Sequence, residues 1–435
     1  MVESKAQLPS LPSHEPIYRR NFIHFLADNI LFSVAMGILG TTTLIPDFVR
    51  RLTDSEILIG LSGNIFTIGF TLPQLFIARH IVRHAHKKWW FVGPNIPVRF
   101  VILLFAGLII WLGPERSGLI LLAFFICYGI AAFGDGLVGV PWTDLVGSSL
   151  DNRWRARMLG LAAAISGIIM LLIAPLIGNV LGNNGPGFPH NYAVLFGISG
   201  LLFVISILPG LLIHELPGGK TVEKLPSFAE FLPQLGRVLR DDVPFRAYIV
   251  ARVFTNLLMM SAPFYIGFAT VELGLSSEVA VPVLLAMQTV GSVTGALVYA
   301  WLGARNNLLY IQLSLISAAL LPICALLAGV FGPWPLYFGF LVSGLAAGSN
   351  LFLCFLNWLV GYTHPDQRPI YAGLSNTVTA VVSFITPFIA GTIAQSFGYR
   401  PLFVVSLMMA FCALYVTLSY FPKVEMAATP ISTPH

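Results

Sequence analysis

Four charged side chains lie inside long apolar stretches of the sequence. Asp28, Arg99, Asp135 and Arg252 are each the sole charged residue of a stretch of about 20 residues. A charge in hydrocarbon is costly unless it faces a cavity or a partner. At a helical rise of about 1.5 Å per residue, all four lie at a similar depth, with Asp28 about 10 Å from one membrane surface. Two acids and two bases at one level can neutralise each other or bind a proton or a charged substrate group.

The two carboxylates are candidates for proton coupling, and each also has a structural interpretation. Asp28 either pairs with Arg252 or Arg99 to close a cavity, or titrates with opposing effects of burial and a neighbouring arginine. For Asp135 we favour a structural role, with Arg99 or a loop arginine as its partner. Arg99 itself is interpreted as structural. Arg252 is the best candidate to meet an anionic substrate group or Asp28.

Uncharged polar side chains on the same stretches supply candidates for substrate binding. Asn256 follows Arg252 by four residues, so the two share one helix face. His24 precedes Asp28 by four residues, and the two can form an ion pair if His24 is protonated. The predicted substrate-binding residues are Asn29, Tyr128, Arg252, Asn256, Gln288, Asn350 and Asn357. For Gln288 a helix–helix hydrogen bond is an equal alternative.

These residues are positioned by twelve long apolar stretches. The chain has 435 residues, of which 56% are hydrophobic and 10% are charged, whereas soluble domains carry about 25% charged residues. Each stretch is long enough to cross a hydrocarbon core of about 30 Å. The predicted spans are 22–45, 57–80, 91–112, 119–141, 158–181, 192–213, 247–269, 280–302, 309–331, 336–360, 370–396 and 402–421.

The second six spans repeat the first six. Residues 129–135 (GIAAFGD) match 344–350 (GLAAGSN), residues 155–161 (RARMLGL) match 368–374 (RPIYAGL), and 174–178 (APLIG) match 386–390 (TPFIA). The offsets run only from 212 to 215 residues. We therefore predict an all-α membrane protein with two pseudo-symmetric six-helix bundles, a plan typical of transporters that rock two halves around a central site.

Orientation follows from Lys and Arg, which favour cytoplasmic connections. Of the 24 such residues, 18 lie in connections on the side of the N-terminus and four on the other side. Both termini are predicted to be cytoplasmic. The predicted parts are a tail at 1–20, bundles at 21–214 and 247–421, a linker at 215–246 and a tail at 422–435. The linker is predicted to contain a helix that lies on the inner leaflet or packs against the bundle.

The connection after span two carries a resemblance to a known family. Residues 78–88 (ARHIVRHAHKK) are similar to the signature Gly-x-x-x-Asp-Arg-x-Gly-x-(Arg/Lys)-(Arg/Lys) of the major facilitator superfamily. Arg83, Lys87 and Lys88 match, whereas Val82 replaces the acid that helps to lock the outward-open state in that family. Arg305 is retained in the equivalent connection of the second half. With His24 and Arg99, these basic residues are candidates for structural or gating roles.

Other motifs refine what the resemblance implies. Residues 174–179 (APLIGN) are similar to the Gly-Pro-x-x-Gly-Gly motif of exporters, which favours efflux. Phe125 stands where many proton-coupled members carry an arginine. Residues 140–142 (VPW) distantly resemble sodium-coupled sugar symporters, but span two has no aspartate, which those proteins use there.

The predicted function is secondary transport of a small molecule across the cytoplasmic membrane by alternating access, with proton coupling through Asp28. The alternatives are a uniporter, a sodium-coupled sugar-type symporter, a lipid scramblase or a non-transporting receptor. No nucleophile–base pair or metal-ligand cluster is apparent, so neither an enzyme nor a cofactor is expected. The expected partners are the substrate, a coupling proton and the lipid bilayer. We expect a monomer and no nucleic-acid partner.

Overall fold

The computed structural model describes residues 15–81, 87–182, 185–215, 240–303, 306–349, 351–363 and 368–422. Helices make up nearly all of these ranges, and they fall into twelve segments that follow the predicted spans. The all-α prediction is confirmed. The interfacial helix predicted in the linker and both tails lie almost entirely outside the described residues.

The first six spans are mostly single long helices. Span one is divided into two helices by a turn at residues 40–43, where Gly40 adopts a φ of +49° that favours glycine. The helices of spans one to six are Glu15–Leu39 with Leu44–Arg50, Glu56–Ile81, Lys88–Leu112, Ser117–Ser149, Asn152–Leu181 and His190–Leu212.

The last six spans include two interrupted ones. In span seven the α-helix Val243–Leu258 passes into a 3₁₀ segment, Met259–Phe264, a single α-helical turn, Tyr265–Gly267, and a π-helical segment, Phe268–Glu272. Span ten consists of Trp334–Ser349 and Leu351–Tyr362. The remaining helices are Ser277–Gly303, Asn307–Phe331, Arg368–Phe397 and Tyr399–Tyr420 for spans eight, nine, eleven and twelve.

Length and composition agree with a membrane bundle. Among the described residues, ten segments are long and apolar enough to cross a membrane, and two shorter apolar helices, Glu56–Thr71 and Trp334–Gly348, belong to spans two and ten. The exposed side chains are also apolar: Leu172 is 71% exposed and Val330 is 75% exposed. Such a surface is stable only in lipid.

Both six-span halves have the same internal packing. Span one packs against spans five and six, span two against span four, and span three against spans four and six. Each of these pairs recurs in the second half as its equivalent, with span seven against eleven and twelve, eight against ten, and nine against ten and twelve. The halves meet where span two packs on span eleven and span five packs on span eight, which are also equivalent pairs.

An even number of crossings places residues 15 and 422 on the same side of the bundle. We call this the termini side and the other the distal side. On the termini side each half is joined internally. The buried Asn21 donates to the His214 carbonyl at 2.8 Å, which ties span one to span six. In the second half, Asp242 accepts from Tyr362 at 2.7 Å and from Tyr371 at 2.9 Å, which joins spans seven, ten and eleven.

Candidate functional site

Three of the four predicted intramembrane charges form one buried cluster in the first half. Arg99 Nη2 lies 3.6 Å from Asp135 Oδ1, as expected from their matching depth. Asp28 interacts electrostatically with both residues, and its Oδ2 accepts a hydrogen bond from Trp142 Nε1 at 3.1 Å. Asp28, Arg99 and Asp135 are 4%, 6% and 6% exposed, so the cluster is shielded from solvent and from lipid.

Arg99 is fixed by its surroundings on several sides. Its Nε donates to Asn95 Oδ1, one helical turn earlier, at 3.0 Å. The guanidinium carbon lies 4.6 Å from the centroid of the Phe32 ring and 5.0 Å from that of Phe203. Cation–π contacts with desolvated aromatic rings stabilise the charged guanidinium. The side chain therefore holds a fixed positive charge between spans one, three and six.

The charges of this cluster do not balance. Two carboxylates surround one guanidinium, which leaves one excess negative charge when both acids are ionised. Asp28 Oδ1, Arg99 Nη1 and Asp135 Oδ1 are buried and have no hydrogen-bond partner among the described residues. Such atoms carry a large desolvation penalty. A proton on one of the two acids removes the excess charge and supplies a donor.

Arg252 lies in the second half, away from this cluster. Its Nη2 donates to Thr379 Oγ1 on span eleven at 3.0 Å, and Nη1 donates to the Tyr248 hydroxyl at 3.5 Å. The guanidinium also lies 5.6 Å from the centroid of the Phe355 ring on span ten. Arg252 thus connects spans seven, ten and eleven.

Of the two arginines expected as alternative partners of Asp28, Arg99 lies in its cluster, whereas Arg252 contacts Tyr248 and Thr379. The Trp142 indole on span four reaches Asp28 Oδ2, and Arg252 belongs to the other half. His24 is only partly buried, and its pairing with Asp28, expected for the protonated imidazole, stays a prediction.

The structure distributes the predicted substrate-binding residues over different environments. Asn29 accepts a hydrogen bond from Ser33 at 3.3 Å. Gln288 accepts from Thr42 across the two halves at 3.3 Å. Asn256 donates to the Arg252 carbonyl and accepts from Ser383, both at 3.0 Å.

Tyr128 and Asn357 differ in exposure. Tyr128 is fully buried and interacts electrostatically with Asp135, so it lies next to the charge cluster. Asn357 is exposed. Asn350 lies outside the described residues.

The basic residues of the family motif act within the first half here. Lys87 Nζ lies 2.8 Å from Asp144 Oδ2 at the end of span four. The backbone amides of Lys87 and Lys88 donate to the Glu215 carboxylate. These contacts join the connection after span two to spans four and six. Arg83 and Arg305 lie outside the described residues.

A group of charged residues on the distal side has no counterpart in our sequence predictions. Arg50 and Glu56 form an ion pair with two hydrogen bonds of 2.7 and 2.9 Å. Tyr399, from the other half, donates to Glu56 Oε1 at 2.7 Å. The available signal was the density of charge in residues 47–56, which hold five of the chain's few charged residues. The partners in the second half are more than 200 residues away and carry no pattern that marks them.

The arrangement suits ion binding and conformational change. Among the residues that the structure covers, no group of three or more His, Cys, Asp or Glu side chains is placed to hold a metal ion. The distinctive groups of the described structure are the buried cluster of Asp28, Arg99 and Asp135 in one half, the buried Arg252 in the other, and polar contacts between the halves. Together with two matching helical bundles, these features define a multi-pass membrane transporter.

The family assignment agrees with this class. The profile of the Major Facilitator Superfamily matches residues 29–385, and the chain belongs to that family. The resemblance seen in the sequence is confirmed. A comparison with curated protein sequences found no match.

Several solved structures share the fold. A mutant of the nucleoside transporter NupG superposes with a TM-score of 0.69 at 13% identity, over 92% of this chain and 98% of that one. A D-xylose–proton symporter superposes with a TM-score of 0.66 at 14% identity, over 94% of this chain and 99% of that one. A bacterial homologue of the iron transporter ferroportin, in an inward-facing state, superposes with a TM-score of 0.62 at 12% identity, over 92% of this chain and 98% of that one. Identities this low establish the fold alone.

Proposed function

We propose that the protein is a proton-coupled secondary transporter that moves a small molecule across the cytoplasmic membrane by alternating access. The observation that carries the proposal is the buried cluster of Asp28, Asp135 and Arg99. It holds two acids and one base, and three of its polar atoms have no described hydrogen-bond partner. A single proton balances the charge.

The charge excess gives a physical reason for coupling. A net negative charge in a low-dielectric interior is costly, so the cluster with both acids ionised is stable mainly while it is open to water. Protonation of Asp28 makes the cluster neutral. The halves can then rearrange around it without moving an uncompensated charge through hydrocarbon. Asp135 stays ionised beside Arg99 in this scheme and keeps a structural role.

Orientation and direction rest on the sequence. The excess of Lys and Arg on the termini side supports a cytoplasmic location for both termini. The described polar contacts between the halves lie on the distal side, which supports a conformation closed toward the outside in the proposed orientation. The exporter-like residues 174–179 favour efflux, and a monomer is part of the proposal.

The proposed substrate contacts are Arg252 and the amides Asn29, Asn256, Gln288 and Asn357. An arginine and several amides suit a small polar molecule that accepts hydrogen bonds. NupG and the D-xylose symporter are named for a nucleoside and a sugar, so these classes are the first to test. Amino acids, organic acids and drugs complete the set.

The test has two stages. A thermal-shift screen of purified protein against these compounds at two pH values identifies a ligand. Proteoliposomes with an internal pH-sensitive dye then receive that ligand. Substrate-dependent proton movement is the expected result. Transport without it supports the uniporter, transport that needs Na⁺ supports the sodium symporter, and binding without transport supports a receptor.

A further inference from the structure

We propose that Arg50, Glu56 and Tyr399 form a latch between the two halves that holds the distal side closed, and that its release is required for the distal side to open. We call these three residues the distal latch. The proposal goes beyond the coupling mechanism, because it concerns which side opens and holds for any coupling ion.

The latch is divided between the halves. Arg50 and Glu56 belong to the first half and form the bidentate ion pair described above. Tyr399 begins span twelve in the second half, donates to Glu56 Oε1, and places its ring centroid 5.4 Å from the Arg50 guanidinium carbon. Gln395 accepts from the Glu56 backbone amide at 2.9 Å. Separating the halves leaves Glu56 without both second-half partners.

The environment makes these contacts strong. The Arg50 and Glu56 side chains are 15% and 13% exposed, so water screens their charges less than those of a surface pair. The Arg50 guanidinium also lies directly against Gly267 of span seven, where a Cβ atom would collide with it. The Arg50–Glu56 ion pair of the first half therefore packs directly against the second half.

A second polar contact closes the same side. Asp47, 2% exposed, accepts a hydrogen bond from Ser277 of the second half at 3.0 Å. Its other oxygen accepts from Tyr192 of its own half. Asp47 precedes Arg50 by one helical turn, so both act from the short helix Leu44–Arg50.

Backbone contact beneath the latch is equally close. At Gly391 of span eleven, an added Cβ would lie 2.5 Å from Ile57 Cα and 2.8 Å from Ile57 N. These are backbone atoms that cannot turn away. The distal ends of spans two and eleven therefore come together only because residue 391 has no side chain.

The described hydrogen bonds between the two halves all lie on the distal side. Where both partners are described, four hydrogen bonds cross between the halves, and all lie in the distal half of the bundle. On the termini side, the contacts of Lys87, Asn21 and Asp242 described above remain within one half. A transporter that alternates must break the distal set, which makes the latch a determinant of the conformational equilibrium.

Distance measurements between spin labels test the proposal. Labels on Glu115→Cys and Phe331→Cys, both exposed distal positions of opposite halves, report opening in nanodiscs in a Cys412→Ser background. Glu56→Ala and Tyr399→Phe should raise the ratio of distal-open to distal-closed molecules about tenfold, since each removes a hydrogen bond to a charged group. Gly391→Ala should do the same by steric means, without any change of charge.

The matched control is Glu272→Gln. Glu272 pairs with Arg400 at 2.9 Å on the same side, but both belong to the second half, so the distance distribution should not change. If Tyr399→Phe and Gly391→Ala leave the distribution of the parent protein unaltered, the latch does not hold the distal side and the proposal is wrong. If Glu56→Ala does not fold, the other two variants decide. This readout needs no substrate and no proton gradient, so its failure is distinguishable from failure of the coupling proposal.

Discussion

At the scale of single residues, the buried cluster is governed by the charge balance around Arg99. The guanidinium is held by Asn95, Phe32 and Phe203, and it compensates Asp135 and Asp28. Removing one partner of a buried ion pair leaves an uncompensated charge, and this costs more than the intact pair contributes. Arg99 is therefore expected to be more important for stability than either acid alone.

Arg99→Leu should lower the free energy of unfolding by about 3–5 kcal/mol, since it leaves two buried carboxylates without a cation. Adding Asp135→Asn should recover part of this loss, so the two effects should deviate from additivity by about 1–3 kcal/mol. Unfolding of the purified protein in detergent measures both. As a control, Arg400→Leu removes an exposed ion pair and should cost less than about 1 kcal/mol. Strict additivity of the first two substitutions would contradict the cluster.

Part of this cluster could be predicted from the sequence. Depth along each helix can be counted from the residue numbers, and it correctly matches Arg99 with Asp135. Asn95 lies four residues before Arg99 on the same helix, so the spacing could have identified it. Trp142 was missed as a partner, because a hydrogen bond between helices depends on their rotation and lateral order, which residue spacing does not reveal. The latch residues were missed for the same reason, since Glu56 and Tyr399 are 343 residues apart.

At the scale of helices, the closest packing occurs between spans eight and ten and between their equivalents, spans two and four. An added Cβ on Gly344 would collide with the Gln288 carbonyl oxygen, and one on Gly136 would collide with that of Phe70. Small residues allow membrane helices to approach at backbone distance, where dispersion forces are strongest. These contacts join the helices of each half at backbone distance.

Gly344→Ala should reduce thermal stability, because its methyl group must push span ten away from the backbone of span eight. Overpacking of this kind costs about 1–3 kcal/mol. Gly107→Ala is the matched control, since a Cβ there meets nothing within 4 Å. Thermal unfolding in the same detergent compares the two. Equal stability of both variants would show that spans eight and ten are not closely packed.

The apolar pattern predicted every span but not the interruptions within them. The break of span one at Gly40 and the 3₁₀ segment of span seven fall inside spans predicted to be continuous, and the π segment Phe268–Glu272 lies across the predicted end of span seven. Hydropathy records the cost of transfer to lipid and is insensitive to local hydrogen-bond register. Span four was predicted to end at residue 141, whereas its helix runs to Ser149, because Pro141 does not end the helix and the last turns are amphipathic.

At the scale of the whole molecule, the two halves have equivalent internal packing, and the described hydrogen bonds between them lie on the distal side. The cluster of Asp28, Arg99 and Asp135 lies in the first half. The duplicated packing could be predicted because duplicated sequence motifs survive at offsets of 212 to 215 residues. The distal position of the hydrogen bonds between the halves could not be predicted, since it depends on which contacts form in one conformation. Arg252 and the Asp28 cluster occupy different halves, so substrate and proton are expected to be linked through the motion of the halves.

The orientation of the whole chain is directly testable. In a Cys412→Ser background, a cysteine at Glu115 on the distal side should react with a membrane-impermeant maleimide in intact cells. A cysteine at Arg153 on the termini side should react only after permeabilisation. The expectation follows from the excess of Lys and Arg on the termini side. The reverse labelling pattern would place the termini outside.

Transport by Asp28→Asn in proteoliposomes tests whether Asp28 carries the coupling proton. Asparagine keeps the size and hydrogen bonding of aspartate but cannot exchange a proton. With the ligand from the thermal-shift screen, we expect the variant to lose transport driven by a pH gradient and to retain counterflow exchange, which needs no net proton movement. Glu115→Gln, which neutralises an exposed acid of the distal side, should retain both. Gradient-driven transport by Asp28→Asn at the rate of the parent protein would contradict the account and leave Asp28 a structural residue.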